Sequence, residues 1–436
     1  LERFGNRLPQ LSFEVFRPIL DGDTAESLVQ AVTLIPASGE FAYGTDVIRR
    51  EFGDGETTAE NINAEVDRAD LVVALDRLQA CAPNVESVSL VVAWYGDDLR
   101  AGRCRIRPGV EVSAKSTTPE NWSVNGVARG SAHLVSRDPE GRPAYGGTPS
   151  DITIVQAIRE LKARGYRVTF YPYILMDVPA DNTLPDPYSD NAAASGQPAY
   201  PWRGRITCVP AAGYAGSPDK TAGAATQVAA FFGAAQPSDF DTSGEQVAWE
   251  GDPDDWGLRR MILHYAHLCA TAGGVDAFLI GSELRGLTQV RSDASTYPAV
   301  AQFIDLAADV RATLGSGTKL SYAADWSEYF GHHPQDGSGD VFFHLDPLWA
   351  DANTDFIGID NYMPLADWRD GHDHLDAQSV DAITDLDYLR GNVEGGEGFD
   401  WYYASIADRD AQLRTPITDG SSGKPWVFRT KDILSW

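Results

Sequence analysis

Apolar residues in this chain come in short dense runs, and segments with helical periodicity separate them. That alternation predicts a repeated strand-then-helix order. The run "GEFAYGT" (39–45) is the first candidate strand. Thr57 and Glu60 have capping-box spacing, and Ile62, Val66, Ala69 and Val73 recur on one helical face, so a helix is expected over 57–80. "VESVSLVVAWYGDD" (85–98) is the second strand, ending in Trp94, Tyr95 and two aspartates. Ser150 is placed to cap a helix over 151–164, with Ile154, Ile158 and Leu161 on one face and Gly165 as its stop. "YRVTFYPYILMD" (166–177) is the third strand. A helix over 254–274, with Met261, Tyr265 and Leu268 as its stripe, leads to the fourth, "VDAFLIGSE" (275–283). A helix over 297–315 and strands at 319–330 and 354–365 complete six strands.

Strands this apolar belong to a parallel sheet covered on both faces. No Gly-rich phosphate fingerprint follows the early strands, which favours an α/β fold of the (β/α)8, TIM-barrel-like kind over a nucleotide-binding sheet. Residues 178–255 break the rhythm, being rich in Pro, Gly, Ala, Asp and aromatics. They read as a long insertion after strand three, and Tyr188, Tyr200 and Trp202 suit a lid beside the strand ends.

Charge and cysteine content narrow the function classes. With 35 Lys+Arg against 63 Asp+Glu, the formal net charge of −28 opposes binding to nucleic acid and suits a soluble, self-repelling surface. Cys81, Cys104, Cys208 and Cys269 form no C-x-x-C pair, so zinc is not expected and buried free thiols are the default. A Cys81–Cys104 disulfide stays open as an alternative. His332-His333 and "HDH" (372–374) lack metal-ligand spacing, and no cofactor is expected. His264 and His267, three residues apart on one helix, read as core or surface residues. No stretch has the apolar length of a membrane helix, and the polar start "LERFGNRLPQ" reads as a mid-chain segment without a leader.

In a β/α barrel the chemistry gathers at the C-terminal strand ends. Those ends carry the candidate catalytic acids Glu283, Asp325 and Asp360, and the candidate sugar-binding residues Trp94, Tyr173, Trp326, Asn361 and Tyr362. Flat rings stack on pyranose faces, and paired carboxyls serve glycosidic chemistry. Glu283, held by the rigid run "AFLI", is the best-placed acid. Two readings of it stay open. Either burial raises its pKa for proton donation, or it pairs with Arg285 or a neighbouring helix and does no chemistry.

The stretches "PAYPWRGRITC" (198–208), "FLIGSELRGLT" (278–288), "YAADWSEYFGHHPQDGSGDVFFHLDPLWA" (322–350) and "DFIGIDNYMPLADWRDG" (355–371) carry a family resemblance. The chain resembles the glycoside-hydrolase-like barrel domain of the baseplate, or tail-hub, proteins of gene transfer agents and related phage tails. "GNRLPQLSFEVFRP" (5–18) is similar to the segment ahead of that barrel, which implies the end of a tail-hub segment over 1–30 and the barrel over 31–436. The resemblance implies a particle made in the bacterial cytoplasm and released. It also implies other tail proteins as partners, three-fold ring symmetry, and a cell-envelope glycan (peptidoglycan or surface polysaccharide) as ligand. In retaining glycosidases with this barrel the acid/base glutamate follows strand four, where Glu283 stands, and the nucleophile glutamate follows strand seven. If "KPWVFRTKD" (424–432) were strand seven, Thr430 or Lys431 would stand in the nucleophile's place. The preferred expectation is that the closing strands and second glutamate lie beyond Trp436. Asp325 or Asp360 could substitute as the second acid. The alternative function is an inactive structural or receptor-binding module.

Overall fold

The computed structural model describes residues 24–35, 39–191, 195–244, 246–418 and 429–434. Most of the expected segment over 1–30 therefore lies outside the described residues. Six parallel strands form one sheet in sequence order: β1 (Ala31–Leu34), β2 (Ser87–Gly96), β3 (Arg167–Met176), β4 (Ala277–Ser282), β5 (Lys319–Asp325) and β6 (Gly358–Asp360). The short strand Ile106–Arg107 adds to β2 in antiparallel fashion. Four helices cover the outer face: α1 (Asp70–Cys81), α2 (Asp151–Ala163), α3 (Leu258–Thr271) and α4 (Pro298–Leu314). The sheet is curled. β3 and β6 stand three strands apart, which in a flat sheet is about 14 Å, yet the Tyr171 hydroxyl on β3 donates to the Asp360 carboxyl on β6.

Strand parity explains which side chains reach the interior. On β2, Val88, Leu90, Val92 and Trp94 pack into the main core, while Val91 and Ala93 meet Tyr171, Tyr173 and Leu175 of β3 on the opposite face. Register pairs Tyr173 with Ala93 and Ile174 with Trp94, so the two strands share this alternation. Phe170 and Phe278, on adjacent strands, stack at 5.7 Å beneath α3.

Two expected elements differ. "GEFAYGT" is a turn rather than a strand, and β1 lies earlier, at Ala31–Leu34. Phe41 and Tyr43 are apolar because the turn buries them in the main core. Tyr43 is fully buried, and its hydroxyl donates to the carbonyls of Leu34 (3.1 Å) and Val91 (2.6 Å). The helix expected over 57–80 shrinks to α1. Residues Glu56–Ala59 instead pair with Arg49–Gly53 as an antiparallel ribbon, and Val66 is exposed. The adjacent threonines there favour strand over helix. Ser150 does occupy the N-cap position of α2, but its hydroxyl bonds Ser123 and makes no cap bond.

The smaller expectations also resolve. All four cysteines are free, Cys81 being exposed and the other three buried, so no Cys81–Cys104 disulfide forms. His264 is a core residue whose Nε2 meets the buried Asp151 carboxylate at 2.9 Å. Among the described residues no helix is long and apolar enough to cross a membrane, and no group of three metal-ligating side chains occurs.

Candidate active site

The fourth strand delivers its acid through a local irregularity. Leu279 pairs with Ser321 and Ser282 with Ala323, so β4 holds one residue more than β5 between these pairs. A bulge of this kind turns the following side chain. Gly281 sits within it because a Cβ there would lie 2.8 Å from the Phe303 ring. Glu283 then takes φ +48, a left-handed conformation rare for a non-glycine residue. Its N–H donates to the Ala323 carbonyl at 2.8 Å, and the next N–H, of Leu284, donates to the Tyr322 hydroxyl at 2.6 Å.

Behind that hydroxyl lies a buried acid. Glu328 is fully buried and accepts from Tyr322 (3.0 Å), the Thr288 hydroxyl (2.5 Å) and the Asp325 N–H (3.1 Å). Burial pushes its carboxyl up to about 7. Glu328 thus links the turn after β5 to the turn after β4, and it positions Glu283 without touching the rim.

The Glu283 carboxylate has two partners from the 178–255 segment. Trp202 Nε1 donates to Oε2 at 2.5 Å, and Arg203 Nη2 forms an ion pair with the same oxygen at 3.1 Å. Arg203 is itself fixed. It donates to the Ser282 carbonyl and hydroxyl, and its guanidinium lies 4.7 Å from the centre of the Tyr173 ring. The expected partner Arg285 makes no such pair; Arg203 takes that place.

Asp360, at the end of β6, lies in side-chain hydrogen-bond reach of Glu283 and accepts from Tyr171. Burial first, and the Glu283 charge in addition, push its carboxyl up to about 7, while the Tyr171 hydrogen bond and Arg203 pull the other way. Asp360 is thus an acid with a raised carboxyl at the same rim as Glu283.

The other sequence-predicted residues divide. Tyr173 and Tyr362 both feel the Glu283 charge and so belong to the rim, and Tyr362 is 70% exposed. Trp326 is half-buried beside Asp360, whose carbonyl accepts its N–H at 3.1 Å. Asp325 is buried and caps its own turn, accepting from the Ser327 N–H at 2.9 Å. The exposed Asn361 accepts from the Met363 N–H at 2.9 Å, which commits its side-chain oxygen to a turn. Trp94 is fully buried against Trp256, His264 and Tyr265, on the helix-facing side of β2 and away from the rim. Residues 424–428 lie outside the described residues; Thr430 and Lys431 sit in a turn, with Lys431 buried on the carbonyls of Asn392 and Gly395.

Sequence reasoning gave no place to Arg203, put Trp202 only in a lid beside the strand ends, and put Tyr171 and Glu328 among the strand-end residues without a role. The signal for the first two was an aromatic next to paired arginines, "PWRGR", in a strongly acidic chain.

Similar solved structures include a GH113 β-1,4-mannanase, at 14% identity over 68% of this chain and 58% of that one, with a TM-score of 0.32. Another is the GH113 β-mannanase AaManA from Alicyclobacillus acidocaldarius in complex with ManMIm, at 16% identity over 79% of this chain and 64% of that one, with a TM-score of 0.35. The chain spans less than two thirds of the length of either. It matches no curated protein. Residues 256–436, which hold β4 to β6 with Glu283, Asp325 and Asp360, match the GTA TIM-barrel-like domain family.

Proposed function

We propose that the strand-end rim binds a cell-envelope glycan and hydrolyses a glycosidic bond with the Asp360–Glu283 pair. The observation that carries this reading is a carboxylate clamped by Trp202 and Arg203, with the burial-raised carboxyl of Asp360 beside it. Asp360, protonated up to about pH 7, gives its proton to the leaving oxygen as the bond to the anomeric carbon breaks. Glu283 faces the positive charge that develops there. Water then adds its oxygen to that carbon and returns a proton to Asp360. Tyr173 and Tyr362 supply ring faces for the sugar.

Release of reducing ends from purified peptidoglycan and surface polysaccharide tests the reaction. Glu283→Gln and Asp360→Asn should each lower release by about 10²–10⁴-fold with the fold intact. Variants as active as wild type refute the pair.

A second reading has its own support. Among the described residues no glutamate follows a seventh strand, and the Arg203 ion pair occupies Glu283. On this reading the rim binds glycan and cleaves nothing. Glycan retention by a wild-type protein that releases no ends would select it.

The GTA description of residues 256–436, taken with the family resemblance of the sequence, supports a place at the tail tip or baseplate of a gene-transfer-agent-like particle. There the chain would assemble with other tail proteins as a three-fold ring and meet the host envelope.

A further inference from the structure

Beside the rim lies a cavity of about 500 Å³, lined by residues that include Tyr188, Arg285, Gln289, Arg291, Ser327 and His332. The chain itself links its lining to two strand-end acids of the rim. Arg285 stands two residues beyond Glu283, and Ser327 two beyond Asp325.

The charges around this cavity are unevenly paired. Arg291 is tied to Asp219 at 2.8 Å and to Asp336 at 3.3 Å, and Lys220 also bridges to Asp336, at 2.6 Å. Half-buried Arg285 has no carboxylate partner among the described residues. The field it makes is felt locally. His332, whose Nδ1 meets the Tyr297 hydroxyl at 2.9 Å, is held down to about 4, by burial first and by Arg291 and Arg285 as well.

We infer that Arg285 and this cavity form a subsite for a carboxylate-bearing sugar, so that the glycan taken by the rim is an acidic one. The inference rests on the glycan reading above and adds the substrate class. A guanidinium presents two parallel N–H donors that match a carboxylate. The unpartnered Gln289 amide adds donors, and the Tyr188 ring offers an apolar face. A site of this volume lies within the usual range for small ligands. The overall negative charge repels anions at long range, so preference for an acidic sugar has to come from a local cation such as this one.

D-glucuronate, D-glucose and inorganic phosphate titrated into the whole chain test it, with binding followed by NMR or calorimetry. Glucuronate should bind at least about tenfold more tightly than glucose. Arg285→Gln should erase that difference while leaving glucose binding unchanged, and Arg285→Lys should restore most of it with thermal stability preserved throughout. Equal binding of glucuronate and glucose, or a preference that survives Arg285→Gln, overturns the subsite. Phosphate competing as strongly as glucuronate overturns its assignment to a sugar. Binding of the monosaccharide needs no bond cleavage. A wild-type protein that prefers glucuronate but releases no reducing ends sinks the hydrolytic reading and leaves the subsite standing. Hydrolysis without acid preference does the reverse.

Discussion

Asp360 sets the pH dependence of the proposed reaction. Its carboxyl keeps a proton up to about 7, so an acid role predicts kcat/KM that falls as pH rises through that value. The Tyr171 hydrogen bond favours the charged form of Asp360. Tyr171→Phe should therefore move the alkaline limb to higher pH, and an unmoved or lowered limb would show that Asp360 is not the titrating acid. Glu328 carries a similarly raised carboxyl, but it is fully buried and hydrogen-bonded to Tyr322 and Thr288, and so it positions without titrating at the rim. At this scale the sequence showed the acids, because carboxylates that follow apolar runs stand out. It could not show which of them burial would raise. That depends on Tyr171 and Arg203, which lie 189 and 157 residues away from Asp360 along the chain.

Between elements, the closest approach at the site is backbone to backbone. The short helix Arg285–Thr288 packs on the turn Arg203–Arg205, and a Cβ on Gly286 would lie 2.7 Å from the Gly204 carbonyl oxygen and 2.8 Å from that of Ile206. Gly286→Ala should push that turn, and with it Trp202 and Arg203, off Glu283. Destabilisation of about 1–3 kcal/mol is expected in denaturant unfolding, with a drop in glycan binding. Unchanged stability and binding would mean the two turns are not in register as described. The long apolar runs made β2 to β5 and α2 to α4 legible, since burial on both faces leaves little else for such runs to be. The errors have physical causes. Phe41 and Tyr43 are apolar because a turn buries them in the core, the stripe from Ile62 to Val73 has helical spacing across a loop closed by the Ile62–Ala69 bridge and the first turn of α1, and Trp94 has the wrong parity to face the rim. Parity could have been read from "SLVVAWYG", where Trp94 falls in step with Leu90 and Val92.

At the scale of the molecule, the curled six-stranded sheet is a partial barrel, in keeping with the TIM-barrel-like domain that residues 256–436 match. The α/β class and strand order were readable because a helix of the outer face stands between successive strands from β1 to β5, with only the short helix Asp346–Trp349 between β5 and β6, and such crossovers suit a parallel arrangement. The site's walls were not, because they come from the long segment after β3, whose composition carries no periodicity. A net charge of −28 makes copies of this chain repel one another. A place in a three-fold ring therefore predicts that assembly depends on other tail proteins. Purified particles should contain this chain in multiples of three per tail by quantitative mass spectrometry, while the isolated chain sediments as a monomer at low salt. Particles that lack the chain would overturn the placement.

The Tyr171–Asp360 hydrogen bond spans the curl, tying the third strand to the sixth. It acts as a tie-rod across an arch, and the group at its far end is the one whose charge changes near pH 7. Gaining or losing that proton alters the pull between strands that share no backbone ladder. Acidity at the rim is therefore coupled to the width of the trough that admits a sugar, with Tyr171 as the link between them.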